Sequence, residues 1–233
     1  MARGVRFALA GLPHLLVQRG NNRQPVFVDP DDRLEYLERL RRAAGERGVE
    51  VHAYVLMPDH VHLLATPATD GALSLALQDI GRHYVRWFNR RHGRSGTLWE
   101  GRFRCAAVDA ERYLLAAMCY VEANPLRAGL VADPATFPWS SYPHHAGTRI
   151  DPLITDHAAF WGLGNTPFER QTAYRARFEA GVAGADLEAL RRAVLRGHPL
   201  GGPQLDAEVA ARGLVAPGGR PRGRPRKLPA PAR

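Results

Sequence analysis

The chain has 233 residues, and its 32 Lys and Arg against 23 Asp and Glu give a formal charge of +9 before ten histidines are counted. That length admits one well-buried domain with an appendage rather than two large domains, and the charge favours a polyanionic partner, nucleic acid ahead of an anionic membrane surface. The two cysteines, Cys105 and Cys119, lack CxxC spacing and make no disulfide framework, which fits a cytoplasmic setting; the apolar run 7–17 is broken by Gly11, Pro13 and His14, so no targeting or membrane segment is expected.

In chain order, residues 12–19 read as a first strand, ended by Gly20-Asn21-Asn22. Asp29 before Pro30 then caps a helix whose Leu34, Leu37, Leu40 and Ala44 recur at helical spacing. Residues 49–57 and 60–66 form an antiparallel pair about a Pro58-Asp59 turn. A second helix follows over 72–91, with Leu73, Leu77, Ile80, Tyr84 and Trp87 on one stripe and Arg82, Arg86 and Arg90 on another. Residues 98–108 are strand-like again. Asp109 caps a third helix that stops near Asn124, because Pro125 disfavours helical geometry in the residue before it. This order predicts an α+β domain, a ferredoxin-like or RRM-like antiparallel sheet with helices on one face and the other face open for a ligand. The domain reading is 1–147 for that unit, 148–215 for a helical appendage that includes a helix over 186–196, and 216–233 for a basic Gly/Pro/Arg-rich tail that cannot build a core.

His60 and His62 stand two apart on a predicted strand, so both leave one face, roughly 7 Å apart at the backbone, while Val61, Leu63 and Ala65 face the core. Either the pair converges on one cation, or one imidazole is a surface group and the other a packed one. On the third helix Tyr113, Ala117, Tyr120 and Asn124 share a stripe expected to point off the core, with Leu114, Met118 and Val121 on the core side. Tyr120 is then a nucleophile beside an ion that Asn124 helps to hold, or a half-buried amphipathic side chain with Asn124 as a helix C-cap. Tyr113 is the rival nucleophile, but its i+4 neighbour is Ala117, which ligates nothing.

The runs Gly20-Asn21-Asn22-Arg23, Tyr54-Val55-Leu56-Met57-Pro58-Asp59-His60-Val61-His62-Leu63-Leu64, Gly96-Thr97-Leu98-Trp99-Glu100-Gly101-Arg102-Phe103 and Tyr120-Val121-Glu122-Ala123-Asn124-Pro125-Leu126-Arg127-Ala128-Gly129-Leu130 resemble, in this order, the REP-associated tyrosine transposases. That family belongs to the HUH endonucleases, which cut single-stranded DNA. The resemblance implies His60, His62 and Asn124 as metal ligands, although several relatives carry glutamine or glutamate at the third position, and Tyr120 as the catalytic residue. It implies transesterification through a 5′-phosphotyrosine. A free tyrosine is only about 0.1% phenolate at neutral pH, so a nearby cation must favour the ionised form or stabilise charge on the phosphate. Mg²⁺ or Mn²⁺ suits two histidines and an amide with open positions better than Zn²⁺.

The expected partner is single-stranded or hairpin DNA resembling a repetitive extragenic palindrome, met by a monomeric protein at the nucleoid, with a dimer as the alternative. Arg82, Arg86 and Arg90 repel one another in the free helix by a few tenths of a kcal/mol per pair, which a phosphate backbone relieves. Arg102 and Arg104 alternate with Phe103 on one strand and also read as DNA contacts. Arg222 and Arg224, in Arg222-Gly223-Arg224-Pro225, resemble an AT-hook for a narrow minor groove, or add nonspecific affinity. Two other readings stand beside the enzyme: a catalytically silent binder of hairpin DNA or RNA, and a hydrolase that uses water and leaves no protein–DNA linkage.

Overall fold

The computed structural model describes residues 8–212. β1 (His14–Arg19) runs into a one-turn 3₁₀ segment at Asn21–Arg23. α1 (Pro30–Arg47) starts where Asp29 accepts the Asp32 amide while the Asp32 carboxylate accepts the Asp29 amide, a reciprocal cap that satisfies two otherwise unpaired donors. β2 (Val49–Met57) and β3 (His60–Pro67) form a hairpin closed by Pro58 and Asp59. α2 (Ala72–Arg91), β4 (Arg104–Ala107) and α3 (Ala110–Glu122) complete the unit, with Asp109 capping α3 as expected. The sheet order is β2-β3-β1-β4 and every neighbouring pair is antiparallel, the arrangement of a ferredoxin-like α+β domain. β4 is shorter than the sequence suggests; Arg102 lies in the bend before it and does not alternate with Arg104 on a strand.

The chain continues through short helices α4 (Asn124–Arg127), α5 (Tyr142–His145) and α6 (Ala158–Trp161), then α7 (Pro167–Ala180), α8 (Gly184–Arg196) and α9 (Pro203–Ala211). Strand alternation divides the interior into two cores. Leu16, Tyr54, Leu56, Val61 and Leu63 meet Tyr36 and Leu40 of α1 and Leu73, Leu77, Ile80 and Tyr84 of α2. On the opposite face Leu15, Val17, Val55, Leu64 and Ala106 meet Leu114, Met118 and Val121 of α3 and, beyond them, Phe160, Tyr174, Leu190 and Val194. Each fully buried side chain of this size contributes about 1.5–3 kcal/mol through the apolar area it removes from water.

That second face differs from expectation. The sheet surface carrying His60 and His62 is not bare, because α3 and α8 lie across it, and the helices after residue 147 share α3's core. The apolar outer stripes of α3 and α8 require this: neither helix could leave them in water. Both sheet margins are occupied as well, β2 by Ser140 and Ile154 and the end of β4 by Leu200.

One contact sets where the hairpin turn sits. The Gly20 amide donates to the Asp59 carbonyl at 2.7 Å, and a Cβ at Gly20 would run into the Gln24 carbonyl and stand 2.8 Å from Val26 Cγ1. Only glycine lets β1 end against the turn that precedes the histidines.

Two buried histidines couple this fold to pH. His14 Nδ1 donates to the Leu12 carbonyl while Nε2 accepts the Leu9 amide, and His52 is held between the Thr155 carbonyl and Thr66 Oγ1. Burial lowers both from 6.5 to about 4. The unfolded chain therefore takes up protons near pH 6.5 that the folded chain refuses. The stability is complete above about pH 6.5 and falls as the pH drops towards 4, by on the order of 3 kcal/mol per histidine. Urea midpoints measured from pH 7 to 4.5 will decline, and His14→Gln will flatten that decline; a midpoint independent of pH would contradict the assignment.

Candidate active site

β3 presents His60 and His62 on the face beneath α3, with Val61 and Leu63 between and after them turned to the other core. The His60 and His62 ring centroids are 5.2 Å apart at an interplanar angle of 82°. His60 Nδ1 donates to Asp59 Oδ1 at 2.6 Å, which fixes the tautomer and leaves Nε2 with its lone pair. His62 is 5% exposed, and its Nδ1 is buried with no hydrogen-bond partner. Burial holds His60 below the ordinary histidine range and His62 well below it; the neighbouring charges of His60, Arg127 and Arg19 add to the effect at His62. Both rings are therefore neutral near pH 7 and offer lone pairs.

α3 brings Tyr120 to this pair. Its ring stands edge-on to His62 with centroids 5.5 Å apart. The expected outward stripe is corrected here: Tyr113, Ala117 and Tyr120 are buried along with Leu114, Met118 and Val121, because α3 is wedged between the sheet and the later helices. Tyr113 lies under the Arg112 guanidinium, 4.8 Å away, and makes no ring contact with either histidine among the described residues. Asn124 opens α4 and its Nδ2 donates to the carbonyls of Tyr120 and Val121, closing the end of α3 and leaving Oδ1 for any further partner.

Arginines crowd the same spot. Arg127 Cζ is 4.8 Å from the centre of the Tyr120 ring, and one of its terminal nitrogens donates to the Tyr120 carbonyl at 2.6 Å. Arg19 sits opposite His60 in the β1–β3 register. Burial pushes the Tyr120 phenol above its usual 10, and the charges of Arg127, Arg191 and Arg19 only partly offset this. The protein's own charges thus leave the phenol protonated, and a further positive charge is what its ionisation lacks.

Residues 12–124, a little under half of the chain, match the model of the IS200-like transposases. Over this stretch the chain is similar to the IS200-like transposases. The resemblance read from the motifs is thereby borne out. The fold is similar to the solved structure of a REP-associated tyrosine transposase bound to a REP hairpin, with a TM-score of 0.54 and 20% identity over 68% of this chain and 96% of that one. A more remote likeness, with a TM-score of 0.36 and 20% identity over 56% of this chain and 92% of the other, is to a Deinococcus radiodurans R1 protein described as a transposase. No curated protein matches.

The expected DNA-contacting arginines fall in two places. Arg82, Arg86 and Arg90 are exposed on α2, which packs against the sheet face opposite the histidines, so they are not part of the Tyr120 site. Arg102 and Arg104 line a cleft with Val17, Arg19, Glu100 and Leu195 on the histidine side, where Arg104 also donates to the Leu195 carbonyl. Arg222 and Arg224 lie outside the described residues. No described helix is long and apolar enough to cross a membrane.

Among the described residues two other groups bring three histidine or carboxylate ligand atoms together, Asp29-Asp32-His92 and His144-His145-Asp156. In the first, Asp32 already accepts the Val28 and Asp29 amides and His92. In the second, His144 Nδ1 accepts the Asp151 amide, so Nε2 carries the proton and points it at Asp156.

Sequence reasoning missed the support for Tyr120's helix. Glu122, fully buried, takes hydrogen bonds from Ser141 Oγ at 2.5 Å, His145 Nδ1 at 2.6 Å and Tyr174 Oη at 2.6 Å. An acidic residue after the apolar run 114–121 of α3 was the available signal; its partners, 19, 23 and 52 residues away, were not readable. Deleting one donor leaves a buried carboxylate oxygen under-satisfied. Tyr174→Phe should therefore cost about 1–3 kcal/mol, seen as a melting point lower by about 2–4 °C for each kcal/mol in a chain of this size; an unchanged melting point would rule out the bond's importance.

Proposed function

We propose that the chain is a metal-dependent single-stranded DNA endonuclease and strand transferase that cuts and rejoins hairpin-forming DNA through a 5′-phosphotyrosine on Tyr120. The observation that carries this reading is the meeting of the His60–His62 pair with Tyr120 across β3 and α3. The hairpin held by the similar solved transposase supports the substrate class.

The donor set suits a divalent cation. His60 with Nδ1 tied to Asp59 and His62 with an orphaned buried Nδ1 are neutral imidazoles short of a partner, and Asn124 Oδ1 is the proposed third ligand. Mg²⁺ or Mn²⁺ bound there would supply positive charge for the phenolate and for the phosphate oxygens. Tyr120 Oη forms a bond to phosphorus, the bond from phosphorus to the 3′ oxygen breaks, its electron pair leaves on that oxygen, and the phenolic proton reaches it by way of solvent. His62 packs edge-on against the Tyr120 ring and so keeps the ring beside the histidine pair. Because one phosphodiester is exchanged for another, the cut can be resealed. The working unit is a monomer in the cytoplasm at the nucleoid.

A silent hairpin-binding protein is the second reading, favoured by Tyr120 being only 6% exposed. The two separate on one gel. Wild type incubated with labelled single-stranded hairpin DNA and Mn²⁺ should give a denaturation-resistant adduct that survives Tyr113→Phe and disappears with Tyr120→Phe or EDTA; binding with no adduct over varied hairpins would favour the silent binder. Asp59→Asn, which loosens the tether on His60, should raise the Mn²⁺ concentration for half-maximal adduct about 10- to 100-fold, and an unchanged requirement would remove His60 from the ligand set.

A further inference from the structure

We propose that Arg127 and Arg19 form an anion clamp that holds the scissile phosphodiester against Tyr120, with Arg127 a catalytic residue. The inference rests on the Tyr120 reading above and adds to it the groups that meet the phosphate.

Three observations carry it. The first is what Arg127 does with its donors. A guanidinium has five N–H groups in a planar fork suited to two oxygens of one phosphate. The bond to the Tyr120 carbonyl uses one of them. The side chain is solvent-accessible and lies over the face of the Tyr120 ring, so its remaining donors are free to meet an anion that comes to that ring. A residue needed only to close the end of α3 would add little, since Asn124 Nδ2 already donates to that same carbonyl.

The second is the state of Arg19. It is half-buried, faces the same side of the sheet as His60, and its Nε is buried with no hydrogen-bond partner. A desolvated guanidinium nitrogen without an acceptor is costly unless an anion completes it. The third is the charge balance. Neither Arg127 nor Arg19 forms an ion pair with a described carboxylate, although Glu100 lines the cleft that Arg19 enters; Arg191, the third arginine near Tyr120, is 3.7 Å from Glu188. Arg127 lies over the Tyr120 ring and Arg19 stands opposite His60 in the β1–β3 register, so the two arginines stand next to the two elements, α3 and β3, whose side chains meet at His62 and Tyr120. Two uncompensated cations next to a nucleophile and a pair of neutral imidazoles are complementary to a single negative group, and a phosphodiester is the one the proposed reaction brings.

On attack, charge builds on the non-bridging phosphate oxygens, and a guanidinium fixed beside them is worth more in that state than in the ground state. The role is therefore tested by removing the charge from either side. After the cut site is mapped with wild type, single-turnover adduct formation is followed on the natural hairpin and on one whose scissile phosphate is a neutral methylphosphonate. Arg127→Ala should slow the reaction on the natural phosphate about 10²–10³-fold while the variant still binds the hairpin within a few-fold of wild type. On the methylphosphonate the difference between the two proteins should shrink to under about tenfold, because the neutral group no longer calls for the cation. Arg19→Ala should show the same pattern at smaller size. Arg127→Lys, which keeps the charge but not the fork, should fall between, and covers the case in which alanine unfolds the protein.

A penalty for Arg127→Ala or Arg127→Lys that is equal on both substrates would reduce Arg127 to a support for α3 and overturn the clamp alone. So would adduct formation at the wild-type rate. Wild type that forms no adduct on any natural hairpin overturns the Tyr120 reading, and the clamp with it.

Discussion

Because side chains alternate along a strand, β3 has to serve two interiors at once, and the rest of the molecule is arranged around that obligation. Val61 and Leu63 go down between α1 and α2, while His60, His62 and Leu64 go up beneath α3. A slip of one residue in the β2–β3 hairpin would exchange the two sets and bury a pair of imidazoles in the aromatic core of Tyr36 and Tyr84. The register is held at the turn by Gly20 against Asp59 and along the strand by pairing on both sides. The histidines are thus placed by the same constraint that builds the core.

The electrostatics of the site follow from where that constraint leaves it. The imidazoles are neutral because they are buried, and the phenol resists ionisation for the same reason. Around them the fixed charges nearest to hand are guanidiniums with few carboxylate partners. The nearest carboxylate, Asp59, is engaged by His60 Nδ1. On the proposed reading the site would take a cation on the histidines and a phosphate beside the arginines. The buried Glu122 network stands in contrast: there every lone pair of interest meets a donor, and its effect is to hold α3, and with it Tyr120, at a set height above the sheet.

The later helices change what the site can do. α8 packs on β4 and α3, so the histidine side of the sheet is covered rather than bare, and a cleft lined by Val17, Arg19, Glu100, Arg102, Arg104 and Leu195 lies beside it. The arginine ridge of α2 is on the far face. DNA that reached both would have to wrap an edge of the domain, whereas Arg102 and Arg104 share a cleft with Arg19, which pairs with His60 in the β1–β3 register.

How much of this could be read in advance depended on the range of the interaction. Period-two alternation fixes which side His60 and His62 leave, period 3.6 puts Tyr120 and Asn124 on one stripe, and Asp29, Pro30 and Asp109 mark helix starts, all within a few residues. The motifs in Tyr54–Leu64 and Tyr120–Leu130 carried the family resemblance. Arg127 lay within reach of the same logic, two helical turns after Tyr120, but no local rule says that a guanidinium will turn back over the ring. What only the tertiary structure decided is which way the Tyr120 stripe faces, that the histidine side of the sheet is roofed by α3 and α8, and that Glu122 finds Ser141, His145 and Tyr174. Those outcomes depend on which apolar stripes, far apart in the chain, bury one another, and loop closure over such distances leaves no signature in a local pattern.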